Sequence, residues 1–299
     1  MSTGENGRRM ASRRRTTGGK RGSGGRALFA VFLLLICAAV GGAAFVMLTP
    51  YGPQKETFVE ILPGSSTLRI ARQLQEAGIV RSQYAFYAER WLQHGILKAG
   101  DYRFDHPVPV REVYDRIRRG DTYTIAVTIP EGSNIFDIAT RLEQAGFGPA
   151  DAFINVARQE VGLVSDIDPQ AKTLEGYLFP DTYNLGPKEQ YPQIAETMVK
   201  RFHQAAKQIG LNHDVHTIVT LASLVERETA VPGERPLVAS VFVNRLDKQM
   251  PLMTDPSVIY GLQLQHAWRG TIFASDLQRD TPYNTYLHPG LPPGPIANP

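Results

Sequence analysis

The longest apolar run, "ALFAVFLLLICAAVGGAAFVML" (27–48), carries no charge in 22 positions. As a helix it would span ~33 Å at ~1.5 Å per residue, enough to cross a bilayer. Beyond it the pattern breaks into short segments. "FVEILP" (58–63) and "IAVTIP" (125–130) alternate apolar and polar residues and predict strands. Each leads into a copy of an internal repeat, "GSSTLRIARQLQEAG" (64–78) and "GSNIFDIATRLEQAG" (132–146), offset by 68 residues with seven identities in fifteen. Both copies predict strand, turn with Ser as helix N-cap, amphipathic helix and terminal Gly. "QYAFYAERWLQHG" and "VREVYDRIRRG" predict two further helices between them. From about Asp151 longer helical patterns alternate with dense motifs. The last, "TPYNTYLHPGLPPGPIANP" (281–299), has six prolines and two glycines in nineteen residues and predicts an ordered loop rather than a helix or central strand.

An apolar content of 42% in 299 residues is enough for a real core and excludes a disordered chain. Charge is uneven. Residues 1–26 hold eight of the 32 basic and one of the 29 acidic residues, which leaves 24 against 28 beyond. The body is therefore mildly acidic, and the basic run has no interleaved aromatics, so no nucleic-acid partner is expected. A basic cluster directly before the apolar run places residues 1–26 in the cytoplasm and the rest outside. The run exceeds the ~7–15 residues of a signal-peptide core, so an uncleaved anchor is expected. Cys37 lies mid-span after Ile36, which reads as a membrane thiol rather than a lipoprotein cysteine. With one cysteine, no intramolecular disulfide forms.

The chemistry centres on "LASLVERET" (221–229). A helix over about 217–229 would put Ile218, Leu221, Ala222, Val225 and Thr229 on one core-facing stripe. Glu226 then sits ~40° from that stripe at ~100° per residue, and Glu228 ~200° from Glu226. The two cannot converge on one bond. Glu226 is the candidate for a half-buried carboxyl with a raised pKa, as a general acid needs; an ordinary surface charge is the competing reading. Glu175, beside Tyr177 in "LEGYLFPDTYNL", is read two ways, as lining a sugar-binding cleft or as a helix cap or core pair. Asp181 and Asp255 sit in turn or cap contexts. Asn244, Tyr260, Tyr283 and Asn284 are neutral hydrogen-bonding groups suited to hydroxyl and acetamido recognition. There is no G-x-S-x-G elbow and no P-loop. His213 and His216 lack a third ligand at convincing spacing, so no zinc site is expected.

Two resemblances add to this. The region 51–148, through its "PxGS" turn and "IA..L...G" helices, resembles the LysM-like modules of cell-wall proteins, which implies binding of N-acetylglucosamine polymers or a packing role. The set "LEGYLFPDTY", "ASLVERET", "ERPLVASVFVNRL", "LMTDPSVIYG" and "PYNTYLHPGLPPGPIANP", in this order behind one apolar helix, resembles the endolytic murein transglycosylases (the MltG or YceG-like family). That resemblance implies an α+β protein: a basic tail (1–26), a single transmembrane helix (27–48), the LysM-like α/β module (51–148) and a mixed α+β catalytic domain (149–299). It implies cleavage of the MurNAc–GlcNAc β-1,4 bond in nascent glycan strands, leaving 1,6-anhydro-MurNAc ends and terminating elongation. The catalytic acid of the family motif falls on Glu226. Glu175, Tyr177, Asn244, Asp255, Tyr260, Tyr283 and Asn284 are the expected substrate-binding residues, with no metal or cofactor. Expected partners are peptidoglycan strands, the bacterial cytoplasmic membrane and the peptidoglycan synthases. Family members continue past "GPIANP" with a strand-rich segment, so truncation at Pro299 is expected. The alternatives are a hydrolytic muramidase using Glu175 or Asp255 as second carboxylate, and a noncatalytic, membrane-tethered glycan-binding protein.

Overall fold

The computed structural model describes residues 23–299; most of the basic tail, residues 1–22, lies outside them. The first helix, α1 (Ser23–Leu48), contains the apolar stretch Leu28–Leu48, whose 21 residues have a mean hydropathy of 2.7 and are not buried by the rest of the chain. That length and composition suit a bilayer. Three residues later Tyr51 forms an isolated antiparallel bridge with Val108.

The chain beyond is mixed α+β. It runs β1 (Thr57–Ile61), α2 (Thr67–Glu76), α3 (Gln83–Gln93), β2 (Gly100–Phe104), α4 (Val110–Arg119), β3 (Ile125–Thr128), α5 (Ile135–Gln144), α6 (Ala150–Gln159), β4 (Thr182–Leu185), α7 (Tyr191–Ile209), α8 (Val215–Glu228), α9 (Arg235–Asp247) and α10 (Asp255–Leu264). β1 pairs with β2. β3 pairs antiparallel with β4, Ile125 opposite Leu185 and Thr128 opposite Thr182.

Both copies of the repeat fold as strand, turn and helix. Gly64 and Gly132 occupy matching left-handed turn positions, at φ 76° and 74°, where a side chain would be strained. Ser66 caps α2 by accepting from the Arg69 N–H. In the second copy the cap is Asn134 rather than Ser133. Its side chain accepts from Phe136 and Asp137, and Asp137 accepts back from the Asn134 N–H, a full capping box. Ser133 instead donates to the Pro130 carbonyl at 2.7 Å.

The chain divides into two compact units. The smaller contains α1 to α4, and its buried side chains include Ile70, Leu74, Phe86, Val113, Tyr114 and Ile117. The larger holds Asp121–Pro299 with Glu60–Leu62 and Ala99–Arg103. The second repeat copy belongs to the larger unit by its packing. Ile135, Ile138, Ala139 and Leu142 of α5 are fully buried in one cluster with Phe153, Leu174, Tyr177, Met198 and Val219. A second cluster joins Leu224, Phe242, Leu252, Tyr260 and Ile296. Helix α8 supplies residues to both.

The buried stripe of α8 differs from the expected one. Val215, Val219, Thr220, Ser223, Leu224 and Val225 face inward, while Ile218 is 41% exposed and Leu221 and Ala222 are half-buried. The reason is the hydroxyl of Ser223. It donates to the Thr220 carbonyl at 2.7 Å and accepts from the Ile296 N–H at 3.0 Å, so a residue read as polar is satisfied inside.

The proline-rich C-terminal segment is ordered, and Ile296, Ala297 and Asn298 are buried. Asn298 ties it in. Its Oδ1 accepts from the Leu178 N–H (2.8 Å), and its Nδ2 donates to the Ser133 carbonyl (2.8 Å) and to Glu175 Oε1 (3.1 Å). Its backbone N–H donates to Ser133 and its carbonyl accepts from Gly132, both at 2.9 Å. Asn298→Ala would remove three buried side-chain hydrogen bonds and leave the Leu178 N–H without its partner, at ~1–3 kcal/mol for an unsatisfied buried group before relaxation. The expected loss is about 2–4 kcal/mol in urea-unfolding free energy, and an unchanged midpoint would contradict it.

Candidate active site

Glu226 lies in the last turn of α8, ~20° round the helix from Val219 at ~100° per residue. It therefore adjoins the buried stripe despite the shift of that stripe. Helix α8 stops at Thr229, whose N–H still reaches the Val225 carbonyl. The Thr229 hydroxyl donates to Glu234 Oε2 at 2.8 Å and accepts from the Val231 N–H at 3.1 Å. These bonds shape a tight turn through the single 3-10 turn Pro232–Glu234. The turn delivers Arg235, first residue of α9, back onto Glu226.

The Arg235 guanidinium bonds Glu226 Oε1 at 2.8 Å and Glu131 Oε2 at 3.1 Å. The Glu226 side chain is 11% exposed and that of Glu131 is 63% exposed. Arg235 Nε is buried and has no hydrogen-bond partner among the described residues. Burial raises the Glu226 pKa above the usual carboxylate value, and the Glu131 charge raises it further; the Arg235 charge and hydrogen bond oppose both, and the net shift is upward.

The β3–α5 turn closes over this group. A Cβ on Gly132 would lie 3.6 Å from Glu226 Cγ and 4.0 Å from its Oε1, so the backbone approaches the carboxyl closely. Arg227 fixes the turn by donating to the Gly132 carbonyl at 3.0 Å. Beside it is an open groove of about 470 Å³, lined among others by Glu131, Gly132, Ser133, Asp137, Arg141 and Arg227. Glu226 itself does not line the groove, but its neighbours Glu131, Gly132 and Arg227 do; a half-buried carboxyl with a raised pKa, oriented by one cation, can donate a proton and later accept one.

The other candidates are dispersed. Glu228 turns away from Glu226 and accepts from the Thr254 hydroxyl at 2.9 Å. Glu175 is 1% exposed. It accepts from the Ile135 N–H at the start of α5 (3.0 Å), from Asn298 and from Tyr260, which makes it a core hydrogen-bond acceptor. Burial lifts its pKa to about 8. Tyr260 packs edge-on against Tyr283, ring centroids 4.9 Å apart, so Glu175, Tyr260 and Tyr283 form one cluster. Tyr177 is buried and donates to Asp168, which also bonds His216 Nδ1 at 2.7 Å. Asn284 is buried and shapes its own loop, donating to the Leu277 and Arg279 carbonyls. Asp255, the first residue of α10, accepts from the Tyr286 hydroxyl at 2.7 Å, and Asn244 is exposed on α9. None of these side chains bonds Glu226.

Its partners Arg235 and Glu131 were not candidates from the sequence, although both leave a trace there. Arg235 sits in "ERPLV", nine residues after Glu226, and Glu131 is an extra residue between Pro and Gly that the first repeat copy lacks ("LPG" against "IPEG").

The sequence model of the YceG-like family matches residues 59–299. A Bacillus subtilis (strain 168) protein named endolytic murein transglycosylase is 33% identical over 285 residues, 87% of this chain and 78% of that protein. A protein of the same name from Streptococcus pneumoniae serotype 2 (strain D39 / NCTC 7466) is 29% identical over 282 residues, 82% of this chain and 51% of that one. The chain thus spans about half the length of this streptococcal relative. A 2.6 Å crystal structure of a yceG-like protein from Listeria monocytogenes is 31% identical, covering 82% of this chain and 86% of that one, with a TM-score of 0.49.

The Glu175 cluster has a testable pH signature. Its folded pKa, about 8, is raised above the ordinary 4.5, so its contribution to stability is full below the unfolded value and is lost as pH rises through about 8. Thermal midpoints measured from pH 4 to 9 should show this fall, and Glu175→Gln should flatten it whatever its absolute stability. An unaltered slope in the variant would remove Glu175 as the cause.

Proposed function

Because the chain belongs to the YceG-like family, we propose that it is an endolytic peptidoglycan lytic transglycosylase that cleaves the MurNAc–GlcNAc β-1,4 bond with Glu226 as its acid and base. The observation that carries this reading is the half-buried, raised-pKa carboxyl of Glu226 held by Arg235 beneath Gly132, a residue that lines the groove. A hydrolase would need a second carboxylate free to activate water or attack the sugar. Glu175 is sealed in the core, Asp255 is engaged by Tyr286, and Glu131 is committed to Arg235. An intramolecular nucleophile removes that need.

In the proposed cycle, protonated Glu226 gives its proton to the glycosidic oxygen as the C1–O bond breaks, releasing the GlcNAc 4-hydroxyl. MurNAc O6 attacks C1, and the Glu226 carboxylate takes the O6 proton. The 1,6-anhydro bond forms, no water is consumed, and Glu226 ends protonated as it began. Arg235 fits both halves of this cycle. Its charge stabilises the transient carboxylate and its hydrogen bond aims it, while burial and Glu131 favour the protonated form. Arg141 and Arg227 in the groove suit the carboxylates that peptidoglycan carries.

The same reading gives α1 the role of a single-pass anchor in the bacterial cytoplasmic membrane, with the tail inside and the enzyme outside. It gives the first repeat copy and its neighbours a LysM-like, glycan-binding role. An anchored enzyme of this kind would act beside the peptidoglycan synthases, where strands emerge.

Mass spectrometry of murein digested by the full chain tests the chemistry. Anhydro ends, lighter than reducing ends by one water, are expected, and reducing ends would show hydrolysis instead. Glu226→Gln should stay folded and lose ~10²–10⁴-fold in cutting, the contribution of a positioned acid and base; a variant that still cuts would sink the assignment. The pH profile tests the electrostatics. Removing the Glu131 charge (Glu131→Gln) should lower the Glu226 pKa, so activity should fall away at lower pH as pH rises. A basic limb that does not move would show that Glu131 exerts no control.

A further inference from the structure

The smaller unit carries an aromatic surface that the catalytic reading does not use. Helix α3 is amphipathic. Ala85, Phe86 and Glu89 face inward, and Phe86 packs against Tyr114 of α4, ring centroids 5.6 Å apart. On the outer face Tyr84 (73% exposed), Tyr87 and Trp91 (73% exposed) follow one another at three- and four-residue spacing, and exposed Leu92 and Ile96 extend the surface beyond. A contiguous apolar surface of this kind marks an interaction site. Tyr and Trp are the types that settle at a membrane–water boundary, where the ring is half in hydrocarbon and its polar atom is hydrated.

Two contacts say which boundary. The apolar stretch of α1 ends at Leu48, and Tyr51 is already locked to Val108 by two backbone hydrogen bonds of 3.1 and 3.2 Å. Three residues reach at most ~11 Å, so the fold begins within that distance of the last apolar turn. Arg81, just before the Ser82 cap of α3, lays its guanidinium over Phe45 of α1 at 4.8 Å and over Tyr51 at 5.1 Å. The start of α3 is therefore held on the last turns of the apolar helix. Arg81 is also a side chain suited to the phosphate level, with its stem on apolar rings and its charge outward.

We propose that the outer face of α3, Tyr84, Tyr87 and Trp91, beds into the phospholipid headgroup region of the bilayer that α1 crosses. This rests on α1 being a membrane anchor and is independent of the reaction. Docked in this way, the smaller unit is fixed to the membrane at two places, by the helix and by the aromatic face. Arg90, which lines a groove with Tyr87 and Trp91, adds a second cation for lipid phosphates.

The sequence supplies its own reporter, because Trp91 is one of only two tryptophans. The full chain carrying Trp268→Phe is reconstituted into phosphatidylethanolamine–phosphatidylglycerol vesicles, with and without lipids brominated near the headgroup end of the acyl chain. Flotation with the vesicles reports anchoring, and Trp91 emission reports docking. The expected result is flotation together with loss of Trp91 emission on bromolipid and protection from aqueous iodide. Flotation with Trp91 unquenched by bromolipid and open to iodide would overturn the docking and leave the anchor standing. Protection from iodide without bromolipid quenching would overturn it in favour of a protein or glycan on this face. Failure to float would remove the anchor reading and the proposal together.

Discussion

The larger unit depends on how one buried amide is satisfied. The Asn298 side chain reaches Leu178, Ser133 and Glu175, and its backbone reaches Gly132 and Ser133. Each of these partners sits in a region with little water, where an unpaired donor or acceptor is costly. Through them the proline-rich loop, the β3–α5 turn and the segment after Leu174 become one structure. Two residues before Asn298, the Ile296 N–H bonds Ser223 of α8. The turn that meets Glu226 and the helix that carries Glu226 are thus tied to the same few residues.

At Glu226 opposing forces are held together rather than resolved. Burial and the charge of Glu131 favour the neutral acid, and Arg235 favours the anion. An acid without the cation would be easily protonated but poorly aimed, and one dominated by the cation would be well aimed but ionised. The net shift is upward, while the carboxyl keeps a 2.8 Å bond to the guanidinium. Such a group can change protonation state with little rearrangement, which is what a residue serving as acid and then base requires. The exposure of Glu131 is part of that balance, since its charge acts on Glu226 partly through solvent.

Much of this was legible along the chain, and the exceptions share a cause. The bilayer-length helix, the strand–turn–helix repeat and the divergence of Glu226 from Glu228 all follow from periodicity, a local property. The direction of α8's buried face does not, because the Ser223 hydroxyl is satisfied inside by a loop some seventy residues later. Glu175 illustrates the same limit. Its neighbour Tyr177 suggested a cleft no more than a cap or core pair, and it is the N-terminus of α5 and Asn298 that draw it into the core. Arg235 and Glu131 come together across 104 residues of sequence, and no pattern within either segment reports the other.

The bridge between Tyr51 and Val108 leaves only Pro50 and Thr49, whose N–H still bonds the Phe45 carbonyl, between α1 and the fold. Most tethered proteins hang from a linker that absorbs motion. Here there is almost no slack, and Arg81 grips the helix besides. With α1 as the anchor proposed above, a helix that leans to suit a thinner or thicker bilayer would swing α2, α3 and α4 with it, as a lever turns with its shaft. Under that proposal, lipid thickness would become an angle imposed on the smaller unit.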